Sequence, residues 1–210
     1  MKRFALTGAL ALAATVPFAV SHSQAQTEAA KPPPAGLAVA TLAAGCFWCT
    51  EADFDKVPGV VSTTSGYTGG HKPNATYYEV GAGRTGHTEA VRVVYDPKKV
   101  TFAKLLDVYW RNVDPLDARG QFCDKGDQYR PEIFTHNDEQ KRLAEESKAK
   151  VVAKFKKPIV MKITPASTFY VAEDYHQDYY NKNPVRYKFY RYNCGRDARL
   201  EALWGKAQTH

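Results

Sequence analysis

One of the four cysteines in this sequence, Cys46, has neighbours that suit a reactive thiol. A nearly continuous apolar run over residues 37–44 predicts a strand buried on both faces, and the helical pattern that follows begins at Cys46. A thiol at a helix N-terminus lies near the positive end of the helix dipole, which lowers its pKa and increases the thiolate fraction. The sequence therefore predicts that Cys46 is a nucleophile.

The residues beside this thiol are Gly45, Phe47 and Trp48. Glycine lets the backbone turn tightly and lets a substrate approach closely. The two aromatic rings would make an apolar cup for a small methyl-bearing group, although rings in such a position also occur as ordinary core residues. Both interpretations of the aromatic pair stay open at this point.

Residues 46–49 also form a C-x-x-C motif at a helix start, which is typical of thiol–disulfide oxidoreductases. A metal-binding module is a second alternative, with Cys46, Cys49, His176 and Cys194 as ligands. Structural zinc sites usually contain a second close pair of ligands, whereas Cys123 and Cys194 are each isolated in the sequence. A non-enzymatic peptide-binding domain is a third alternative, and it leaves the thiol after Gly45 unexplained.

The motif G-C-F-W at residues 45–48, followed by Glu51, resembles the signature of the A-type peptide methionine sulfoxide reductases. Further blocks resemble that family in the same order, from about residue 39 to 185. They are residues 58–60, 65–70, 73–77, 85–91, 114–115, 124–130 and 172–177. The extent of the match identifies the chain as a member of this family.

The resemblance implies an enzyme that reduces methionine-S-sulfoxide, free or in proteins, to methionine. In the implied mechanism the Cys46 thiolate attacks the sulfoxide sulfur and is left as a sulfenic acid. The departing oxygen must be protonated, and Glu89 matches the family's general acid. A carboxyl group has this capacity when a dry, apolar environment raises its pKa.

Other positions match residues that bind the substrate in this family. Tyr77 and Tyr129 match phenols that donate hydrogen bonds to the sulfoxide oxygen. Asp124 matches a carboxylate that organises polar contacts in the pocket. Phe47 and Trp48 match the cup around the methyl group. The resemblance implies no metal and no cofactor.

The resemblance also implies that a second thiol converts the sulfenic acid into an intramolecular disulfide, which a thioredoxin-like reductant recycles. The family often has glycine at the position of Cys49, and often has the recycling cysteine just after residues 183–184, where this chain has none. We expect Cys194 to resolve the sulfenic acid, with Cys49 as the alternative and Cys123 as the third choice. Basic neighbours and a following glycine favour a reactive, mobile Cys194.

The pattern up to residue 135 is β-α-β-β-α-β, which is typical of the ferredoxin-like, split β-α-β arrangement. We therefore predict an α+β fold, a two-layer sandwich with a mixed sheet, that forms a single catalytic domain over residues 37–210. Two polar loops, residues 68–88 and 112–130, connect the elements, and the length of the first is typical of a functional loop. A long irregular segment is expected at the C-terminus.

The N-terminal residues have the pattern of a secretory signal peptide, which we assign to residues 1–25. Two basic residues precede an apolar run, and residues 23–25 form a small-x-small cleavage signal. Residues 26–36, with three prolines, predict a flexible linker. The protein is therefore expected to be periplasmic or secreted, without stable membrane association after removal of the signal.

The net charge of +7 is spread along the chain. Its densest basic stretches, residues 148–157 and 186–199, are interleaved with apolar or tyrosine residues and predict solvated faces. We therefore expect no nucleic-acid partner. We also expect a monomer.

Overall fold

The computed structural model describes residues 29–206, in which helices and strands follow one another along the whole range. The strands are β1 (Ala38–Ala44), β2 (Val60–Thr68), β3 (Thr88–Tyr95), β4 (Gly120–Gln121), β5 (Asp124–Lys125), β6 (Pro131–Thr135), β7 (Lys162–Pro165) and β8 (Tyr170–Val171). The helices are α1 (Phe47–Phe54), α2 (Tyr77–Gly81), α3 (Phe102–Arg111), α4 (Asp138–Phe155), α5 (Tyr179–Lys182), α6 (Pro184–Asn193) and α7 (Arg196–Trp204).

Six strands form one sheet in the order β7-β6-β1-β3-β2-β8. The pairs are antiparallel except β6 with β7, so the sheet is mixed, as predicted. β1 and β3 occupy the centre, which explains the apolar runs that form them. Strands β4 and β5 form a separate small hairpin. The chain therefore has a mixed α/β fold in which Cys46 directly follows a central strand.

The main core lies on the face of the sheet that helices α1, α3 and α4 cover. Leu42 and Val91 project from the central strands toward Phe54 of α1, Leu105 of α3 and Val151 of α4, all of them buried. Burying these side chains removes apolar surface from water, which is the dominant favourable contribution to folding. This packing gives α1, and with it the Cys46 region, a rigid support.

A long irregular C-terminal segment was expected, and that expectation is wrong, because helices α5, α6 and α7 occupy most of residues 179–204. Pro184 occupies the first position of α6, where the missing N–H of proline costs nothing. Gly195 adopts a positive φ of 67° and separates α6 from α7. The predicted loop over residues 68–88 likewise contains a short helix, α2.

The predicted signal peptide, residues 1–25, lies outside the described residues. The predicted linker is described from Ala29 onward, and this part lies against the sheet. Ala29 forms a β-bridge with Tyr170, and the Arg92 guanidinium donates a hydrogen bond to the carbonyl of Lys31, at 2.7 Å. Within residues 29–206, every helix is too short or too polar to cross a lipid bilayer.

Candidate active site

Cys46 lies at the turn between β1 and α1, and Gly45 makes this turn possible. Gly45 has φ = +80°, and a Cβ atom there would lie 2.5 Å from Cβ of Gln121. Gln121 cannot retreat easily, because it is buried and its side chain accepts a hydrogen bond from the Asp114 N–H at 2.8 Å. The backbone therefore approaches its neighbours more closely than any other residue would permit, and Cys46 becomes the N-cap of α1.

Cys46 and Cys49 are buried free thiols that interact with each other. Burial raises the pKa of Cys46 well above its usual range, and the hydrogen bond with Cys49 raises it further. The same hydrogen bond lowers the pKa of Cys49 to about 7, with help from the positive charges of Arg196 and Arg191. This differs from the expectation of a lowered pKa for Cys46, because burial and the hydrogen bond with Cys49 both raise it. The hydrogen bond favours the proton on Cys46 and the thiolate form of Cys49.

Glu89, the second residue of β3, is the buried carboxyl group of the site. Its side chain is only 3% exposed, and Oε2 accepts a hydrogen bond from the backbone N–H of Phe47 at 2.9 Å. Burial raises the pKa of Glu89 well above its usual range, although the Phe47 N–H opposes this shift. The negative charge of Asp124 raises it further. These shifts favour the protonated form of Glu89, which is the form that a general acid needs.

The predicted site residues line one small cavity of about 70 Å³. It is lined by Cys46, Phe47, Trp48, Tyr77, Glu89, Asp124, Tyr129 and Tyr190. The first seven of these were predicted from the sequence, and the structure brings them all together. Tyr190 was missed, because a tyrosine in a segment rich in Tyr, Arg and Lys carries no signal that distinguishes it from its neighbours.

Two phenols face the cavity from different elements. Tyr77 is the first residue of α2, and Tyr129 ends a short 3₁₀ helix, residues 127–129. Burial raises the pKa of Tyr77 and of Tyr129, and Glu89, once it is ionised at high pH, adds to both shifts. Both phenols therefore keep their protons and can donate hydrogen bonds to an oxygen in the cavity.

Glu173 fixes Tyr77 in place. One carboxylate oxygen accepts a hydrogen bond from the Tyr77 backbone N–H at 2.9 Å, and the other accepts one from the hydroxyl of Tyr67 at 2.7 Å. Tyr67 is fully buried in β2, so this arrangement ties the start of α2 to the sheet. A phenol held in this way needs little reorganisation when it binds a developing charge.

Asp124 and Tyr190 close another side of the cavity. The Tyr190 hydroxyl donates a hydrogen bond of 2.5 Å to Oδ2 of Asp124. Burial raises the pKa of Asp124, and the hydrogen bond from Tyr190 opposes this shift. Because Tyr190 belongs to α6, this contact joins the C-terminal helices to the pocket wall.

Trp48 is held by the neighbouring aromatic side chains. Its ring stacks on Tyr179 at 3.7 Å between centroids, and its indole N–H donates a hydrogen bond of 3.0 Å to Nδ1 of His176. Burial lowers the pKa of His176 to about 4, so this imidazole is neutral and accepts from Trp48. The second conspicuous imidazole, His87, accepts a hydrogen bond from the Gly70 N–H at 3.0 Å. Both histidines hold the fold around the site and lie outside the cavity lining.

Cys194, expected to be the resolving thiol, is bonded to Cys123 in this structure, with 4.9 Å between their Cα atoms. The disulfide joins the β4–β5 hairpin to the end of α6, and Cys123 is exposed to solvent. Cys49 is instead the sulfur that interacts with Cys46.

The alternative metal-binding module is not assembled in the part of the chain that the structure describes. Within residues 29–206, one group has the spacing of metal ligands, namely Cys123, Asp124 and Cys194. Its two sulfurs are bonded to each other, whereas a metal-ligating cysteine is a free thiolate.

Comparison with known proteins identifies a family that matches most of the chain. The family model described as "Peptide methionine sulfoxide reductase" matches residues 38–208. A peptide methionine sulfoxide reductase MsrA of Listeria welshimeri is 54% identical over 170 residues, which cover 80% of this chain and 96% of that protein.

Solved structures with similar folds include Mxr1 from Saccharomyces cerevisiae in its reduced form. It is 35% identical with a TM-score of 0.70, and the match covers 74% of this chain and 90% of Mxr1. Mxr1 in complex with Trx2 matches with 28% identity and a TM-score of 0.52, over 71% of this chain and 89% of that one. With a family match over almost all described residues and a cavity that contains the predicted thiol, the chain belongs to the A-type peptide methionine sulfoxide reductases, MsrA, and is an oxidoreductase that reduces methionine sulfoxide.

Proposed function

We propose that the protein reduces methionine-S-sulfoxide, free or in polypeptides, at the cavity around Cys46. The observation that carries this proposal is the placement of a buried carboxyl group with a raised pKa, Glu89, on the same small cavity as the Cys46 thiol. A nucleophile and a proton donor on one cavity are what the reaction needs, because sulfur must be attacked while oxygen is protonated.

The proposed first step is attack of the Cys46 sulfur on the sulfoxide sulfur. The Cys46 proton passes to the Cys49 thiolate, and Glu89 donates a proton to the sulfoxide oxygen. Transfer of that oxygen to Cys46 then gives methionine and a Cys46 sulfenic acid. The proton that Cys49 accepted returns through solvent to Glu89, so Cys49 is again a thiolate and Glu89 again an acid. Tyr77 and Tyr129 support this step as donors to the oxygen.

Stereochemistry tests the proposed reaction. Because the nucleophile and the proton donor occupy fixed positions in the cavity, the protein is expected to reduce only one epimer of the sulfoxide. The resemblance to the A-type family implies that this is methionine-S-sulfoxide and that the R epimer stays unchanged. The measurement is methionine release from each separate epimer with a chemical reductant. Equal rates for the two epimers would contradict the proposal, and so would a preference for R.

We infer that Cys49, the alternative in the sequence-based ranking, resolves the sulfenic acid first. It interacts with Cys46 directly, and its pKa of about 7 keeps much of it as thiolate. Attack of Cys49 on the sulfenic sulfur forms the Cys46–Cys49 disulfide and releases water. Cys194 would have to leave Cys123 before it could take this role.

We further propose that electrons reach this buried disulfide through the exposed one. A thioredoxin-like dithiol reduces Cys123–Cys194, and the Cys194 thiolate then attacks the Cys46–Cys49 disulfide. Cys123 displaces the resulting mixed disulfide, so the outer disulfide returns and both inner thiols are free. The burial of Cys46 and Cys49 supports this route, because an external protein cannot reach their sulfurs. The complex of Mxr1 with Trx2 supports a thioredoxin-like donor.

Two serine variants separate the roles of the cysteines. After reduction and one exposure to substrate, Cys49→Ser is expected to accumulate a Cys46 sulfenic acid, which a sulfenic-acid-specific probe captures. Cys194→Ser is expected to accumulate the Cys46–Cys49 disulfide and to turn over poorly with thioredoxin. Mass mapping of the alkylated proteins distinguishes the two species. A Cys46–Cys194 disulfide that forms in Cys49→Ser at the normal rate would instead assign the first resolving step to Cys194.

Other expectations from the sequence stand as proposals. We propose that the strand order β6-β1-β3-β2 is a ferredoxin-like core in a two-layer sandwich, which the antiparallel pairing of these strands supports. We propose that residues 1–25 direct export and that the mature protein is a periplasmic or secreted monomer. N-terminal sequencing after expression in a bacterium, together with the sedimentation mass, tests these last proposals.

A further inference from the structure

Two large aromatic side chains beside the cavity are exposed to solvent. Tyr78, in α2, is 82% exposed, and Tyr175, which precedes α5, is 54% exposed. Neither lines the cavity, and neither is needed to bury the core. A single exposed aromatic residue is ordinary, but two from separate segments at the edge of one site are a candidate binding surface.

The positions of the two rings relate them to the site. The Tyr78 ring lies 6.1 Å from the ring of Tyr77, which lines the cavity. The ring centroids of Tyr175 and His176 are 4.2 Å apart, and those of His176 and Tyr77 are 4.3 Å apart. Burial raises the pKa of Tyr175, and the charges of Glu173 and then Tyr78 add to the shift, as expected for phenols that lie close together. Tyr78 and Tyr175 are called the aromatic rim below.

The size of the cavity limits how much of a substrate can enter it, and the rest of the substrate must lie outside, near the aromatic rim. Its volume of about 70 Å³ is far below the ~300–1,000 Å³ of pockets that enclose a whole drug-sized ligand. Only the end of a methionine sulfoxide side chain therefore enters, and the backbone that carries it stays outside. An extended chain advances about 3.3 Å per residue, so rings some 6 Å from Tyr77 are within reach of the flanking residues.

We propose that the aromatic rim binds the polypeptide residues that flank an oxidised methionine, so that extended, unfolded segments with apolar flanks are preferred over the free amino acid. The proposal rests on the proposed function of the Cys46 cavity, to which the rim is related through the ring of Tyr77. Tyrosine suits the task because it presents a rigid, partly apolar surface whose hydroxyl tolerates water. A folded substrate cannot supply such a segment until it opens locally.

The test compares two substrates in one variant. In Tyr78→Ala/Tyr175→Ala, kcat/KM for a short peptide with apolar residues around methionine-S-sulfoxide should fall roughly tenfold, as expected for loss of two aromatic contacts. The value for free methionine-S-sulfoxide should stay unchanged, because the cavity is intact. Tyr78→Phe/Tyr175→Phe should keep the peptide activity. Tyr192→Ala is the matched control, since Tyr192 is 83% exposed and lies outside the cavity lining.

Binding provides a readout that does not depend on turnover. In the Cys46→Ser background, the double alanine variant should bind the oxidised peptide roughly tenfold more weakly, with unchanged affinity in the Tyr192→Ala protein. Unchanged peptide binding in the double alanine variant would contradict the proposed role of the aromatic rim, whatever the activity of the unaltered protein. An equal fall in activity for both substrates would also overturn it, because the tyrosines would then support the cavity. Failure of the unaltered protein to reduce either substrate would contradict the proposed function. The binding comparison would still show whether the aromatic rim binds the peptide.

Discussion

Cys46→Ser is expected to abolish reduction of methionine-S-sulfoxide, with a loss of roughly 10⁴-fold or more in kcat, because a serine hydroxyl is a far weaker nucleophile than a thiolate. Serine has nearly the same shape, so the N-cap of α1 and the packing around it should persist. Methionine release with a chemical reductant measures the loss, and circular dichroism checks the fold.

Cys49→Ser is the matched control for this variant, since it changes the neighbouring sulfur on the same helix. Because Cys49 accepts the Cys46 proton in the proposed first step, Cys49→Ser should form methionine more slowly in a single turnover, whereas Cys46→Ser should form none. If Cys46→Ser releases methionine faster than reductant and substrate do without protein, Cys46 is not the nucleophile.

Glu89→Gln is expected to slow formation of the sulfenic acid by about 10²–10⁴-fold, the usual cost of losing a positioned acid. The amide keeps the size of the side chain and can still accept the Phe47 N–H, but it cannot supply the proton. Rapid-quench measurement of methionine in a single turnover isolates this step. Glu51→Gln is the matched control, because Glu51 is an equally buried carboxyl group that does not line the cavity. A normal rate in Glu89→Gln would exclude Glu89 as the acid.

The pH dependence follows from the raised pKa of Glu89, which burial causes. The acid form is present below this pKa, so the single-turnover rate should hold at lower pH and fall as the pH rises through the raised pKa of Glu89. In Glu89→Gln this alkaline decline should disappear, and the deficit should shrink at low pH, where solvent can protonate the sulfoxide. A variant that keeps the same alkaline decline would show that another group causes it.

The central elements of the fold were predictable because each buries apolar residues in the main core, and this burial leaves a regular pattern in the sequence. The apolar run of β1 and the helical spacing in α3 mark residues that pack in the main core, and the structure confirms both elements. The order β1, α1, β2, β3, α3, β6 followed from these patterns, whereas α2 and the β4–β5 hairpin lie in segments that were predicted to be loops. Their pairing into one mixed sheet agrees with the prediction.

The C-terminal helices were missed for a physical reason. α6 buries only Tyr187 in its interior and carries Val185 and Phe189 on its exposed face, so it lacks the apolar stripe that indicates a helix. Its order comes from long-range polar contacts instead. Arg191, for example, binds Asp53 of α1 at 3.0 Å, and nothing in the local sequence shows such a partner.

The residues that line the site were predicted through the resemblance rather than from their spacing. Tyr77 and Asp124 lie in segments that looked like polar loops, and only the fold brings them to Cys46. The pairing of Cys194 with Cys123 was not predictable, because the two are 71 positions apart and belong to elements whose contact depends on α6. The pKa of Cys46 was expected to be low, since sequence shows the helix start but not the burial.

The most direct test of the account follows the sulfur of Cys46 through one turnover. A reduced Cys123→Ser/Cys194→Ser protein is mixed with methionine-S-sulfoxide in the absence of a reductant, quenched with an alkylating reagent and mapped by mass spectrometry. We expect one methionine for each protein molecule, together with a disulfide between Cys46 and Cys49. Release of methionine while Cys46 is still alkylated as a free thiol would contradict the account.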